Sequence, residues 1–416
     1  MWFYAKCILA GHQKAEAAAL GKPRGNLSDL YPRWLGTREL LLQRRDPYGA
    51  EVTRDIQAGY YGRPLDPNRP NDPTDQEAFA YPAYVVFLLA PTIFAPFSVV
   101  QLVFLWLLPL LIILTFFLWL RVLQWQPPWS VVGLLLILLM GSFQVVQAIE
   151  LQQLTVVVSA MIAGAALLLA RGRLAWAGVL LALATIKPQL AFLLVAWLLL
   201  WAASDWRPRQ RFVWGFGITL GLLCLGAELA LPGWIWRFRG AVENYRRYTG
   251  SASPLETLTS QILPGLWWGR ALNALIVLAV LRACWKLRRE PADSGPFAFT
   301  LALVLAATVV VIPMISPYNQ LLLLPALFLL VRNWNAFWNK DLLAKSACVI
   351  TSAVLFWPWI ATLYLSAEVL FRPLRSVQEA WALPLYSSLG IPILVLGMLA
   401  LQPSTTLMSR KTQNRR

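Results

Sequence analysis

The sequence predicts an all-α polytopic membrane protein, and three observations carry that assignment. Of its 416 residues, 58% are hydrophobic and 13% charged, about half the charge that wets the surface of a soluble domain. The segments 80–120, 122–149, 151–170, 294–331, 346–367 and 380–409 contain no Asp, Glu, Lys or Arg. Each is long enough to cross a hydrocarbon core that needs about 20 apolar residues. The acids crowd instead at the start, with 10 of the 20 in the first 79 positions. A soluble enzyme, a disulfide-stapled secreted scaffold and a disordered chain are excluded.

The net charge is +16. Basic residues between apolar spans follow the positive-inside rule, so the expected partners are membrane lipids and not nucleic acid. Cys7, Cys224, Cys284 and Cys348 are scattered and form no CxxC pair, so neither a metal site nor a disulfide framework is indicated. His12 is the single histidine, which removes His-clustered zinc and Ser-His-Asp chemistry. Acid–base work falls to carboxylates. With only carboxylates to hold a divalent cation, no tightly bound metal and no other cofactor is expected.

Taken in order, Met1 to Ala10 is too short to span and lacks the parts of a signal peptide. It reads as the stub of a first transmembrane helix. Residues 1–99 form an extracytoplasmic region of amphipathic and juxtamembrane helices, including one from about Arg33 to Gln43. The stretch 79–97 is apolar but punctuated by Pro82, Pro91 and Pro96, and reads as an interfacial or re-entrant helix. Residues 100–416 form the transmembrane bundle, about eleven helices near 100–121, 130–148, 151–170, 174–186, 189–203, 211–231, 270–287, 297–315, 317–332, 346–366 and 383–402, with an outer loop at 232–269.

Lys187-Pro188 is the doubtful junction. Proline breaks the helical ladder, and a lysine at the bilayer centre costs at least about 2.5 kcal/mol. Breaking the chain there places 17 of the 25 basic residues after position 79 on one side, Arg410, Lys411, Arg415 and Arg416 among them. An unbroken span erases that bias. The break is therefore predicted at the outer face, with the C-terminus in the cytoplasm.

The unusual residues gather outside. Asp29 precedes a Tyr-Pro turn and a helix; it suits either a helix cap or a general base above the bilayer. Glu150 is the only ionisable residue from 122 to 170, in a tight outer loop beside Gln152 and Gln153. It is either a solvated loop acid or a functional carboxylate. Lys187 either snorkels to the headgroups or binds phosphate as a point charge. In 232–269, Trp234, Trp236, Phe238, Tyr245 and Tyr248 alternate with Arg237, Arg239, Arg246 and Arg247, a pattern that fits interfacial anchoring. Ser316 to Gln320 opens a helix with several hydrogen-bonding side chains. Two carboxylates, a recessed lysine, amides and tyrosines on one face suit displacement at a sugar carbon with a phosphate leaving group.

The runs DLYPRWLGTRELLLQRRDPYG, EAFAYPAYVVFLLAP, ELQQLTVVVSAMIAGAALLLARGRLAWAGVLLALATIKPQLAFLL and SPYNQLLLLPALFLL, in this order, resemble glycosyltransferase family 87, within the wider GT-C fold. The resemblance covers roughly Asp29 to Leu330. It implies a GT-C-like bundle and an inverting transferase that moves a hexose, mannose-like, from a polyprenyl-phosphate donor. The acceptor is a hydroxyl of a lipid or glycan on the extracytoplasmic face of a plasma membrane, the bacterial inner membrane. It maps the catalytic base onto Asp29, a second acid onto Glu150 and the donor phosphate onto Lys187. Arg33, Tyr81, Gln152, Gln153, Tyr318 and Asn319 join Lys187 as the expected substrate-binding set. Two features depart from the family: the helix that precedes the catalytic loop is missing or truncated, and Leu151-Gln152-Gln153 stands where a Gly-Gln pair is common. The rivals are a lipid or sugar transporter or flippase, which predicts internal repeats that are not evident here, and a non-catalytic membrane scaffold.

Overall fold

Inside a bilayer the backbone has no water to bond, so a chain this apolar must satisfy its peptide groups within helices. The computed structural model describes residues 1–401 except 24, 26, 27, 67 and 314, and among these residues there are helices and turns but no strand. The basic residues Arg410, Lys411, Arg415 and Arg416 lie outside the described residues. The protein is an all-helical polytopic membrane protein.

The chain opens on a π-helical stretch, Tyr4–Leu9, that continues as α1 (Ala10–Ala19). Tyr4 and Ile8 pack with Phe143, Leu365 and Val377. α2 (Leu30–Gln43) starts three residues earlier than expected and is no surface amphipath, because Leu30, Pro32, Trp34, Thr37, Glu39 and Leu40 are all buried. α3 (Ala50–Tyr61) follows. In place of one interfacial or re-entrant helix over 79–97 there are α4 (Val85–Leu89) and a 3₁₀ turn, Ala90–Thr92. The prolines cut the helix short. Residues 83–86 sit inside the protein, at most 5% exposed, and do not face lipid.

α5 (Phe97–Val122) is the first helix of membrane length. The single span expected over 130–148 is a bent pair, α6 (Trp129–Gly141) and α7 (Phe143–Glu150), angled by 53°. Ser142 makes the break, since its hydroxyl accepts from the Val145 N–H and caps α7. Then come α8 (Thr155–Ala170), α9 (Leu174–Ala184), α10 (Pro188–Ala203) and α11 (Trp206–Ala230). α9 and α10 are separate helices, as Lys187-Pro188 predicts, with Pro188 in the first turn of α10, where a missing N–H costs nothing. α9 and α11 meet backbone to backbone: a Cβ on Gly178 would fall 2.3 Å from the Phe212 carbonyl oxygen, and one on Gly215 2.2 Å from that of Ala175. Small residues permit this close approach between membrane helices.

The expected loop at 232–269 folds into α12 (Trp234–Thr249) and α13 (Pro254–Ser260). α14 (Trp267–Leu287), α15 (Gly295–Val311), a 3₁₀ turn at Pro317–Leu323, α16 (Leu324–Arg332), α17 (Trp334–Trp338), α18 (Leu342–Glu368), α19 (Leu374–Gln378) and α20 (Gly390–Ala400) complete the bundle. Among the described residues, four helical stretches are long and apolar enough to cross a membrane: α5, α11, α18 and Leu374–Ala400. The bent pair makes a fifth, and five more apolar helices have 10–17 residues.

Hydrogen bonds between distant residues sort the loops onto two ends. At one end Arg209 donates to the carbonyls of Trp201, Arg288 and Arg289, the Gln124 amide to that of Asp293, and Arg332 to that of Leu123. At the other, the Asp29 N–H donates to Leu151, the Tyr84 hydroxyl to Thr185 and the Gln320 amide to Ser388. These are the two groups into which a break at Lys187 divides the loops. An unbroken span would put Leu123 and Arg332, which are bonded, at opposite ends.

Candidate active site

At the end that holds Asp29 and Lys187 the helices leave a cavity of about 910 Å³, within the range of ligand sites. Asp29, Arg33, Tyr81, Gln153, Lys187 and Tyr318 all line it. These residues come from α2, the segment before α4, the turn before α8, the α9–α10 break and the 3₁₀ turn after α15. The cavity exists only because those five pieces meet.

Asp29 occupies the N-cap position of α2, yet its side chain makes no capping bond. Its Oδ2 accepts instead from the Gln153 amide, so the helix-cap account of this acid fails. One turn on, Arg33 donates from Nη1 to the Asp29 carbonyl at 2.6 Å and lies over the Tyr81 ring, 4.9 Å from its centroid. Its Nε is buried with no hydrogen-bond partner.

Lys187 is 5% exposed. It donates to Gln153 Oε1 at 2.8 Å and to the Thr155 hydroxyl at 2.7 Å, and its Nζ is 5.1 Å from the Tyr318 ring centroid. A snorkelling lysine would reach water; this one is held in a polar recess. The Gln153 amide thus has both ends fixed, its NH₂ toward Asp29 and its oxygen toward the ammonium. Thr155 in turn donates to Asn319 Oδ1 at 3.2 Å. No carboxylate among the described residues lies within ion-pair distance of Lys187. Burial, with repulsion from Arg33, lowers its ammonium to about 7 against the pull of Asp29, so an anionic ligand beside it would favour the charged form.

Gln152 and Asn319 stand behind the cavity wall. The backbone of Gln152 turns through φ +50°, an uncommon conformation for a side chain of this size. That turn sends its amide to the Gln101 carbonyl at 2.6 Å and its oxygen to the Ser28 hydroxyl. It ties α2, α5 and the turn before α8 together. Glu150 is not brought to the cavity. It ends α7, whose Phe143, Val145, Val146, Ala148 and Ile149 are buried, and so points off that apolar face. There it pairs with Lys6 at 3.4 Å. The neighbouring amides turn inward and the acid does not.

Two contributions escaped the sequence. Glu77, also at φ +50°, shares the electrostatic field of Asp29, Asp75 and Arg33. Burial pushes its carboxyl up to about 8, helped by repulsion from Asp75 and Asp29 and opposed by Arg33 and a bond from Tyr60. The signal available was the acid-rich run before position 79. The second is α12, which the aromatic–arginine pattern assigned to anchoring: Ile235, Phe238, Arg239, Val242, Tyr245 and Arg246 form one wall of the cavity. Their spacing of three to four residues is that of one helix face.

Burial raises the Asp29 carboxyl above the ordinary carboxylate range, while the charges of Arg33 and Lys187 pull it down, Asp75 pushes it up and the Gln153 amide pulls it down. A carboxylate so placed is a stronger base than a solvated one, and the two cations offset part of the cost of its charge. Among the described residues no group of three or more His, Cys, Asp or Glu side chains is arranged to hold a metal ion.

Fold and cavity together define a polytopic membrane protein with a charged, ligand-sized cleft at one end of its bundle. Residues 79–317, more than half of the chain, match glycosyltransferase family 87. The chain belongs to that family, and the protein is a membrane glycosyltransferase. No curated protein and no solved structure matches it. The matched segment contains Tyr81, Gln152, Gln153, Lys187 and all of α12, whereas Asp29, Arg33, Tyr318 and Asn319 lie outside it.

Proposed function

We propose that the protein transfers a hexose, mannose-like, from a polyprenyl-phosphate donor to a hydroxyl of a lipid or glycan acceptor, in the cavity around Asp29 and on the extracytoplasmic face of a plasma membrane. The acceptor oxygen forms a bond to the anomeric carbon as the bond from that carbon to the phosphate oxygen breaks. The bonding pair leaves with the polyprenyl phosphate, and the hydroxyl proton passes to the Asp29 carboxylate. A single displacement of this kind inverts the anomeric centre. Lys187 and Arg33, which both line the cavity, bear on the departing phosphate. General-base help contributes about 10²–10⁴-fold, and stabilising the developing charge is often worth more.

The observation that carries this reading is the convergence of Asp29, Arg33 and Lys187 on one cavity that the apolar side chains Phe192, Leu193, Ile235 and Phe238 also line. A soluble sugar nucleotide has no use for such apolar side chains; an isoprenoid phosphate has use for them and for the charges. The basic residues of the opposite end, with the C-terminus, then lie in the cytoplasm.

The test is transfer from labelled polyprenyl-phosphate hexoses by membranes that contain the protein or its Asp29→Asn variant. Transfer by the wild type, at least a hundredfold slower in the variant, is expected. Equal transfer by the two would remove Asp29 from the base role.

A further inference from the structure

α12 carries four arginines, and they divide by face. Arg237 pairs with Asp46, and Arg247 with Glu243 at 3.7 Å. Arg239 and Arg246 line the cavity instead, and among the described residues neither has a carboxylate within ion-pair distance. They are seven positions apart, two helical turns on one face, which separates them by about 10 Å along the axis. Counting every ionisable Asp, Glu, Lys and Arg in the lining, the cavity holds four basic side chains, Arg33, Lys187, Arg239 and Arg246, against two carboxyls, Asp29 and Glu243.

A sugar phosphodiester brings one negative charge, and Arg33 and Lys187, flanking Asp29, meet it. Arg239 and Arg246 remain, on a different helix and beside the apolar side chains Ile235, Phe238 and Val242. Exposed arginines anchored only to headgroups need not line a cavity, and paired ones would not be short of anions. We propose that Arg239 and Arg246 form an anion subsite for the acceptor, and that the acceptor is a lipid bearing a phosphate-type negative charge close to the hydroxyl that takes the sugar. This inference rests on the donor assignment above, because it assigns the remaining cations once the donor phosphate is placed. An arginine fork matches phosphate oxygens bidentately, and Ile235 and Phe238 would meet the lipid's acyl region.

The test uses the full chain in phosphatidylcholine nanodiscs with three probes: phosphatidylglycerol, which carries a phosphodiester beside free hydroxyls, the neutral monoglucosyldiacylglycerol, and a polyprenyl phosphate. Bound probe is read by native mass spectrometry. The double variant Arg239→Gln/Arg246→Gln should weaken phosphatidylglycerol by about tenfold or more, the loss expected for charge-assisted hydrogen bonds, and shift the other two probes less than twofold. Arg239→Lys/Arg246→Lys should recover part of the loss, which a collapsed helix could not. The pair Arg237→Gln/Arg375→Gln, two exposed arginines that do not line the cavity, should leave all three unchanged. Equal weakening by that pair would reduce the effect to general surface attraction and overturn the subsite. Loss of polyprenyl phosphate in the cavity-facing variant would assign these arginines to the donor, and no change in phosphatidylglycerol would also overturn the proposal. Failure of polyprenyl phosphate to bind the wild type would count against the donor assignment alone, since the phosphatidylglycerol arm reads the subsite independently.

Discussion

Asp29 is held between opposed forces: burial disfavours its charge, and Arg33 and Lys187 offset that only in part. Transfer that needs the ionised carboxylate falls as pH drops through the raised value, so the acid limb of kcat/KM should lie above the ordinary carboxylate range. Lys187→Gln takes away a charge that lowers the Asp29 value and should move that limb to higher pH, besides raising the KM for donor about tenfold or more. A pH–rate profile of the two proteins checks both effects. Glu77 supplies a separate readout. Its folded value, about 8, stands above that of an unfolded glutamate, so between roughly pH 4.3 and 8 the folded state binds more protons than the unfolded one. Stability therefore declines as pH rises through that window and levels off above it. Glu77→Gln should flatten the decline, measured as the melting temperature of purified protein from pH 5 to 9. At this scale Lys187, Gln153 and Tyr318 stood out in the sequence because polar residues at the edges of apolar spans are costly, and Asp29 because of its place before a Tyr-Pro turn and helix and the family resemblance. Glu77 was not, because nothing in a run of acids says which one the fold will bury, and Glu150 misled because isolation in sequence does not fix the direction of a side chain.

Among the elements, the α9–α10 break positions the lysine. Pro188 ends the ladder, the short helices leave the junction below the rim, and Thr155 and Gln153 receive the ammonium. α9 must then lie tightly on α11 for the break to stay in register with α12. Gly215→Val, whose Cβ would press on the Ala175 carbonyl, should destabilise the protein by about 1–3 kcal/mol, seen as a lower melting temperature and poorer recovery. Gly217→Ala, with nothing within 4 Å of the added carbon, should be close to neutral. The break was readable from a proline beside a lysine. The 53° bend at Ser142 was not: an apolar run from 130 to 148 carries no signal that a serine will be used as a cap. α12 was recognised as an aromatic–arginine helix, but an interfacial helix and a cavity wall share one amphipathic pattern, and only the packing of Trp234 on Tyr84 and of Phe238 on Tyr48 distinguishes them.

For the molecule as a whole, charge set the topology. The bias of basic residues required a break at Lys187, and the bonds from Arg332 to Leu123 and from Gln124 to Asp293 assemble the loops on that side at one end. Single cysteines at Ser251 and at Asn335, placed in a variant whose four native cysteines are alanine, should be labelled by an impermeant maleimide from opposite sides of intact cells or inverted vesicles, Ser251 from outside. The proposed active site depends on Asp29 facing a donor pocket open to the extracytoplasmic side, and that is measured most directly by the reactivity of an Asp29→Cys thiol in the same background. Labelling by an impermeant maleimide from outside, slowed severalfold by a polyprenyl phosphate but not by a polyprenol without phosphate, is the predicted result. A thiol that reacts only from the cytoplasmic side, or that reacts from outside with equal speed in all three conditions, would contradict it.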